Sequence, residues 1–182
     1  MKSLLLAAAL LAAPPALAAD WVMQPAASTL QFSGTQTGSP FTGTFSSWSA
    51  QIAYDPAHPA AAHIHITIKT ASAHTGDTQR DEALPGTDWF SAQAFPDAVF
   101  DATGFTPLGG DKFTTTGTLT IRGITHKLTL PFTLDVSGTT ATAKGQVNLT
   151  RTDYGVGQGN WSSGAWVGLT AGVNFTLVAQ SK

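Results

Sequence analysis

The 182-residue chain contains no cysteine, which excludes disulfide bonds, thiol chemistry and thiolate metal sites. Charge is also scarce, because Asp, Glu, Lys and Arg together make up only 11% of the residues. Nine cations stand against eleven anions, so the basic excess that is typical of nucleic-acid-binding proteins is missing and we expect no nucleic-acid partner. Without disulfides, the fold of an exported chain must depend on its own packing.

Long apolar runs are absent except at the N-terminus. Lys2 precedes the uninterrupted run Leu4–Ala13, and the small residues Ala16-Leu17-Ala18-Ala19 follow it. This order predicts a secretory signal peptide over residues 1–19, because the run is too short to cross a bilayer as an anchor. We therefore expect one mature domain over residues 20–182.

Thr, Gly and Ser are abundant, and this composition favours strands and turns. The clearest strand pattern lies in Gly117–Val136. Every second residue of Leu128–Val136 is apolar, whereas Lys127, Thr129, Thr133 and Asp135 fill most alternate positions. A strand places successive side chains on opposite faces, so this segment predicts one apolar and one polar face. Gly123 separates it from an earlier alternating run and marks a tight bend.

Eight regions of this kind follow one another at hairpin spacing, without internal repeats. The spacing predicts an all-β fold, either a barrel or a sandwich, and a barrel of about eight strands can hold one small ligand. The predicted strand regions are 21–36, 41–54, 63–69, 98–106, 113–122, 124–136, 141–150 and 171–178.

The segment 71–96 lacks period-two alternation and is the longest such stretch of the mature chain. We predict a short helix near 87–94 within it, with Thr87 or Asp88 as the N-cap. A loop of this length in a compact domain is usually functional, for example as a lid, although it can be a simple crossover.

Catalytic and metal-binding patterns are weak. His63 and His65 share one strand face, but two solvent-facing histidines explain them better than a metal site, and no third ligand is evident. Asp88, Asp97 and Asp101 could supply paired carboxylates, although an N-cap and turn hydrogen bonds are the simpler roles. The glycines of 155–159 precede no helix-forming run, so a loop at the barrel rim explains them better than a dinucleotide site.

Three arginines are the most informative charges. In a chain with so few charges, Arg80-Asp81 and Arg151-Thr152-Asp153 suggest salt bridges across the mouth of the barrel. The functional alternative is that Arg80, Arg122 or Arg151 receives a polar head group such as a quinone oxygen, a carboxylate or a phosphate.

Several short motifs follow one another over nearly all of the mature chain. They are Trp21 with Ser28, Leu30 and Phe32, then 41–45 (FTGTF), 79–84 (QRDEAL), 88–90 (DWF), 95–96 (FP) with Phe100, 117–125 (GTLTIRGIT), 128–132 (LTLPF) and 151–161 (RTDYGVGQGNW). In their order and spacing they resemble the YceI-like family of secreted, lipocalin-like, polyisoprenoid-binding proteins. The segment 164–169 departs from the pattern, because many relatives carry an acidic residue there.

This resemblance implies an antiparallel eight-stranded lipocalin-like barrel with one short helix or lid segment. It also implies a hydrophobic tunnel that holds a long isoprenoid, an isoprenoid quinone or a similar lipid, with no catalytic cofactor and no metal. Periplasmic members are often associated with membrane b-type cytochromes. The assembly state is left open, a homodimer included.

The function expected from these observations is a periplasmic lipid carrier rather than an enzyme. A quinone-presenting accessory to a membrane b-type cytochrome is one alternative, and a hydrolase that uses rim carboxylates is another. Ordinary core packing is an equal alternative for each ligand-binding candidate. Those candidates are Phe32, Phe45, Ile66, Phe100, Leu119, Ile121, Leu130 and Phe132 on the wall, and Trp89, Phe90 and Trp161 at the mouth.

Overall fold

The computed structural model describes residues 19–182, and the predicted signal peptide therefore lies almost entirely outside the described residues. Eleven antiparallel strands make up most of this part of the chain. The strands are β1 (Ala19–Met23), β2 (Thr29–Gln36), β3 (Ser39–Phe45), β4 (Trp48–Tyr54), β5 (His63–Lys69), β6 (Ala73–His74), β7 (Asp97–Gly109), β8 (Lys112–Ile121), β9 (Ile124–Ser137), β10 (Thr140–Thr150) and β11 (Thr170–Ser181).

The strands form one sheet that closes on itself. Pairing runs from β1 through β4, β5, β7, β8, β9, β10 and β11, and the pairing of β11 with β1 completes the ring. Closure leaves no free sheet edge in the ring and creates an interior that its inward side chains must line. The predicted eight-stranded antiparallel barrel is thereby confirmed.

The first two predicted strand regions are each divided in two. A short 3-10 turn at Pro25–Ala27 separates β1 from β2, and both of these strands pair with β11. Ser46 and Ser47 separate β3 from β4, which pair with β2 and β1 respectively. The eleven strands therefore occupy eight positions in the barrel wall, with the two-residue β6 added at the edge of β3.

The turns follow the sequence signals. Arg122 and Gly123 connect β8 to β9, and both have a positive φ, at 52° and 74°. Two such residues form the two-residue turn whose twist matches that of a hairpin, which explains the glycine at this position. The face assignment of β9 is also confirmed, because Leu130, Phe132 and Leu134 line the interior.

The helix lies elsewhere than predicted. The α-helix α1 spans Thr78–Ala83, whereas residues 87–94 form consecutive turns. Asp77 is the N-cap, and its side chain accepts a hydrogen bond from the Arg80 amide at 3.0 Å. Pro85 and Gly86 follow the helix, so the prediction missed a cap and a stop signal that the sequence does contain.

Two hydrophobic clusters lie along the barrel interior. The larger is at the end formed by the turns after β4, β7 and β9, and it includes Trp21, Tyr54, Phe105 and Phe132. The second is built around Phe100 and Leu119, and it packs against Tyr154 and Val156 from the segment after β10. Among the described residues, no helix has the length and apolarity needed to cross a bilayer.

Candidate ligand cavity

A cavity of about 190 Å³ lies inside the barrel, between the second cluster and the segments that cover it. We call it the outer cavity. Its wall comes from nine strands and from three connecting segments, and carbon atoms form almost all of its surface. The lining residues that recur in the argument below are Leu30, Phe32, Phe90, Leu119, Ile121, Leu128, Val147, Leu149, Tyr154 and Val173.

A smaller cavity of about 60 Å³ continues toward the opposite end of the barrel. We call it the inner cavity. Its wall includes Trp21, Tyr54, Phe105, Phe132 and Leu177, and the small side chains of β10 and β11 complete it. The interior is therefore hollow rather than filled by its own side chains. For scale, an apolar cavity of about 150 Å³ in another protein stays dry and binds benzene.

The outer cavity approaches solvent on one side. Ser33, Gly34 and Phe41 line it and are only half-buried, and Thr170, on the neighbouring strand, lines it and is exposed. These residues lie where β2 and β3 meet the start of β11. The wall therefore reaches the protein surface at this point.

Ten of the eleven predicted ligand-binding residues line one of the two cavities. Phe132 lines the inner cavity, the other nine line the outer cavity, and Ile66, Phe100 and Leu130 line both. Trp161 lines neither, because it packs outside Trp89 with the ring centres 5.6 Å apart. Contact of these residues with a ligand stays a prediction.

Sequence reasoning missed the wall contributed by the last two strands. Val147 and Leu149 of β10, with Val173 and Phe175 of β11, line the outer cavity, as does Tyr154 after β10. The alternation along both strands was visible in the sequence, but it does not show which apolar residues border a hollow. Leu84, which follows α1, was missed for a different reason, since no periodicity marks it.

Two segments cover the outer cavity, residues 75–96 and 151–169, and we call them the cap segments. The main-chain carbonyl of Asp88 accepts hydrogen bonds from the amides of Gly157 and Gln158, both at 2.8 Å. Arg122 in the β8–β9 turn donates to the carbonyls of Thr87 and Trp89. Main-chain bonds thus join the two cap segments to each other, and Arg122 ties the first of them to the barrel wall.

Arg151 organises the second cap segment. The inward positions of β10 are odd-numbered, and Arg151 continues this series beyond the strand, so its side chain is buried with only 6% exposed. Its five N–H groups donate to five main-chain carbonyls, those of Val156, Gly157, Trp161, Val167 and Gly168. Burial lowers the pKa of the guanidinium from its ordinary value. These bonds leave Arg151 no N–H group for a ligand.

The predicted salt bridges across the mouth do not form. Arg151 forms no ion pair with any described carboxylate, and Arg80 pairs with Asp77 at 3.7 Å rather than with a partner across the barrel. Arg80 also donates to the Gln36 side chain at 3.0 Å and lies 4.9 Å from the centre of the Phe41 ring. Opposite charges that are close in the sequence do not predict a salt bridge when one of the side chains continues the inward face of a strand.

Two threonines of the cavity walls direct their hydroxyl groups to main-chain carbonyls. Thr70 donates to the carbonyls of Phe95 and Pro96, at 2.9 and 3.1 Å, and Thr115 donates to the carbonyl of Gly104 at 2.8 Å. Arg80 and Arg122 lie outside both linings. The walls therefore offer an apolar ligand contact surface and very few hydrogen bonds.

The two histidines of β5 lie on the outer face of the barrel. His65 Nδ1 and His63 Nε2 lie 2.8 and 3.2 Å from the same carboxylate oxygen of Asp101, on the adjacent strand β7. The hydrogen bonds from His65 and then His63 lower the pKa of Asp101. Within residues 19–182, no group of three His, Asp or Glu side chains is arranged to hold a metal ion.

This closed barrel with its apolar interior can be compared with known proteins. The family model described as the YceI-like domain matches residues 21–179. The chain belongs to the YceI-like family. A relative from Pseudomonas savastanoi pv. phaseolicola, named UPF0312 protein, is 31% identical over 141 residues, which are 76% of this chain and 73% of the relative. The protein YceI of Escherichia coli is 35% identical over 88 residues, 48% of this chain and 46% of that one.

Two solved structures share this fold. BcnA of Burkholderia cenocepacia superposes with a TM-score of 0.83 at 34% identity, covering 87% of this chain and 99% of BcnA. A polyisoprenoid binding domain from Saccharophagus degradans superposes with a TM-score of 0.72 over 91% of this chain and 99% of that domain. At 17% identity, the second similarity concerns the fold alone.

Proposed function

We propose that this YceI-like protein is a periplasmic binding or carrier protein for a long isoprenoid or isoprenoid-quinone lipid, held in the barrel interior. The observation that carries the proposal is the outer cavity of about 190 Å³ with its apolar wall. Each buried prenyl unit has about five carbons and gains at most roughly 3–4 kcal/mol from burial, part of which the ordering of the chain offsets. A few units therefore suffice for tight binding. The polyisoprenoid binding domain that shares this fold is consistent with such a ligand.

The decisive experiment is organic extraction of the protein purified from its natural host, followed by mass spectrometry of the extract. A long isoprenoid or isoprenoid quinone at near-stoichiometric amount is the expected result. An extract without lipid, from protein that also fails to bind added prenyl alcohols, would refute the proposal.

A matched pair of variants on β10 tests whether the lipid occupies the outer cavity. Val147 lines this cavity, whereas its neighbour Gln146 is exposed on the outer face of the strand. Val147→Glu places a carboxylate against the hydrocarbon tail, which is costly without a partner, and should lose the co-purified lipid. Gln146→Glu adds the same charge outside and should retain it. Equal lipid content in the two variants would contradict the placement.

Binding rather than turnover is the better-supported activity. Of the described residues, no Asp, Glu or His lines either cavity, so a bound lipid would meet no general base there. Asp97 is paired with Lys69 at 2.7 Å, and Asp101 is on the outer face with His65. A hydrolytic role requires that Asp88→Asn, Asp101→Asn or His65→Ala abolishes turnover of a prenyl ester.

Presentation of a quinone to a membrane b-type cytochrome is the second candidate. It is favoured by Trp166 and Leu169, which are 59% and 39% exposed on the same segment whose Val167 and Gly168 line the outer cavity. An apolar surface beside a lipid cavity suits a membrane-bound partner. Cross-linking in intact cells should then recover a membrane redox protein in a quinone-dependent manner. If no membrane redox protein is recovered, the quinone-presenting role is refuted and only the carrier function remains.

A further inference from the structure

The two cavities follow one another along every strand that lines both of them. On β9, Leu128 borders the outer cavity, Leu130 borders both and Phe132 borders the inner one. On β11, the same order runs through Val173, Phe175 and Leu177. The inner cavity is therefore the continuation of the outer one, deeper in the barrel and farther from the cap segments.

Four side chains form a collar between the two cavities, because they line both. They are Ile66, Phe100, Leu130 and Phe175. Ile66 and Phe100 are direct cross-strand partners on β5 and β7. A lipid tail that enters from the outer cavity would have to pass the collar to reach the inner cavity.

The ring of Phe175 owes its place in the collar to a glycine. Gly145 is its direct cross-strand partner on β10, and a Cβ atom on Gly145 would lie 2.6 Å from Phe175 Cε1 and 2.7 Å from the Pro131 carbonyl oxygen. Real Cβ atoms do not approach so closely, so the ring can lie against the strand only because Gly145 has no side chain. The position of the ring in the collar therefore depends on this glycine.

Small side chains behind the collar create the inner cavity. The inward positions of β10 beyond Gly145 are Ala143 and Ala141, and Ala179 faces Ala141 from β11. Aromatic rings form the other side, where the rings of Phe105 and Phe132 meet edge to face with centres 5.0 Å apart. Trp21 and Tyr54 line the cavity at the end of the barrel, and Trp21 Nε1 donates to the Tyr54 carbonyl at 3.0 Å. The inner cavity thus has one wall of alanines and an aromatic floor, formed by Trp21 and Tyr54.

We infer that the inner cavity receives the terminal unit of the lipid's hydrocarbon tail, and that its alanine wall and aromatic floor set the tail length that the protein prefers. This inference rests on the proposed lipid-binding function. Affinity should rise with each added prenyl unit while the tail still finds empty apolar space. Once the tail meets the aromatic floor, further units remain outside and add little.

The test measures dissociation constants for a homologous series of prenyl alcohols that begins with geraniol, farnesol and geranylgeraniol. For the wild type, each unit that enters should strengthen binding by roughly tenfold or more, up to a plateau length. Ala143→Val adds two carbon atoms to the inner wall and should move the plateau to a chain one unit shorter, with unchanged affinity for geraniol.

The matched control is Thr142→Val, which introduces the same residue at the adjacent position. Ala143 lines the inner cavity, whereas Thr142 does not. Thr142→Val should therefore leave the plateau at the wild-type length. Thermal melting of both variants establishes that they are folded. If Ala143→Val is unstable, Ala179→Val makes the same change on the adjacent strand β11.

The outcomes separate this inference from the function on which it rests. A plateau at the same length in wild type, Ala143→Val and Ala179→Val would overturn the length selection while leaving lipid binding intact. Absence of binding for every prenyl alcohol would instead refute the proposed function. A plateau one unit shorter in the two alanine variants, but not in Thr142→Val, supports the inference.

Discussion

The guanidinium carbon of Arg151 lies 5.4 Å from the centre of the Trp89 ring, so the two cap segments meet at a cation on an aromatic face. The same guanidinium donates to five carbonyls of its own segment. Arg151 is therefore a structural centre of the cap. Its planar set of five donors cannot be replaced by another side chain.

We predict that Arg151→Lys destabilises the protein and loosens residues 156–169. A lysine has three N–H donors, so at least two of the five carbonyls lose their partner, which should cost on the order of 2–4 kcal/mol of unfolding free energy. Chemical denaturation measures the loss, and hydrogen exchange should be faster in the second cap segment. Arg80→Lys is the control, because Arg80 is partly exposed and should change stability by less than about 1 kcal/mol. Equal effects of the two substitutions would contradict the role of Arg151.

Two glycines in this segment give a sharper comparison. Gly157 and Gly159 both have a positive φ, at 81° and 59°, so alanine is strained at either position. At Gly157, however, a Cβ atom would lie 2.0 Å from Arg151 Nη1, whereas at Gly159 it would meet open space. Gly157→Ala should displace Arg151 and resemble Arg151→Lys in its hydrogen exchange, while Gly159→Ala should cost only about 1–2 kcal/mol of backbone strain. If both alanine variants melted at the same temperature, the steric argument would be wrong.

Most of the fold could be predicted, because period-two patterns fix which side of each strand faces inward. Six of the eight strand regions are single strands in the structure, and the other two, 21–36 and 41–54, are each divided in two. The helix was misplaced because Thr87 and Asp88 are also suitable N-cap residues, whereas the helix begins at Thr78, after the Asp77 cap. Tertiary hydrogen bonds, such as those to the Asp88 carbonyl, hold residues 87–94 in turns instead.

The candidate site was harder to predict for a physical reason. An inward apolar side chain looks the same in a sequence whether it borders another side chain or a hollow. The inner cavity has room because Ala141 and Ala143 occupy successive inward positions of β10, and small side chains leave no periodic signal that distinguishes a hollow from a packed core. Arg151 could have been placed correctly, since it continues the odd-numbered inward series of β10.

The protein should lose stability in alkali because both of its tyrosines resist ionisation. Burial, with a smaller contribution from the neighbouring carboxylates of Asp55 and Asp153, raises the pKa of Tyr54 and of Tyr154 above the ordinary value of 10.0. The unfolded chain therefore releases these protons at lower pH than the folded one, so stability is intact below about pH 10 and falls as pH rises beyond it. Ultraviolet titration of tyrosinate should show no ionisation of the folded protein near pH 10. Tyr154→Phe should remove part of the alkaline loss, and two tyrosines that titrate normally in the folded state would contradict the burial argument.

Head-group chemistry should matter less to binding than tail length. The polar groups of Thr70, Thr115 and Arg151 are engaged by main-chain carbonyls, and carbon atoms form almost all of the cavity surface, so the walls offer few hydrogen bonds that could distinguish an alcohol from an ester. We expect geranylgeraniol and its acetate to bind within about threefold of each other, since a net hydrogen bond is worth only about 1 kcal/mol. Geranylgeranyl phosphate provides the contrast. The phosphate could bind much more tightly than the alcohol, and Arg80→Gln or Arg122→Gln could remove this difference while the control Lys144→Gln does not. That result would support the predicted head-group role of the arginine concerned and would contradict the apolar description of the site.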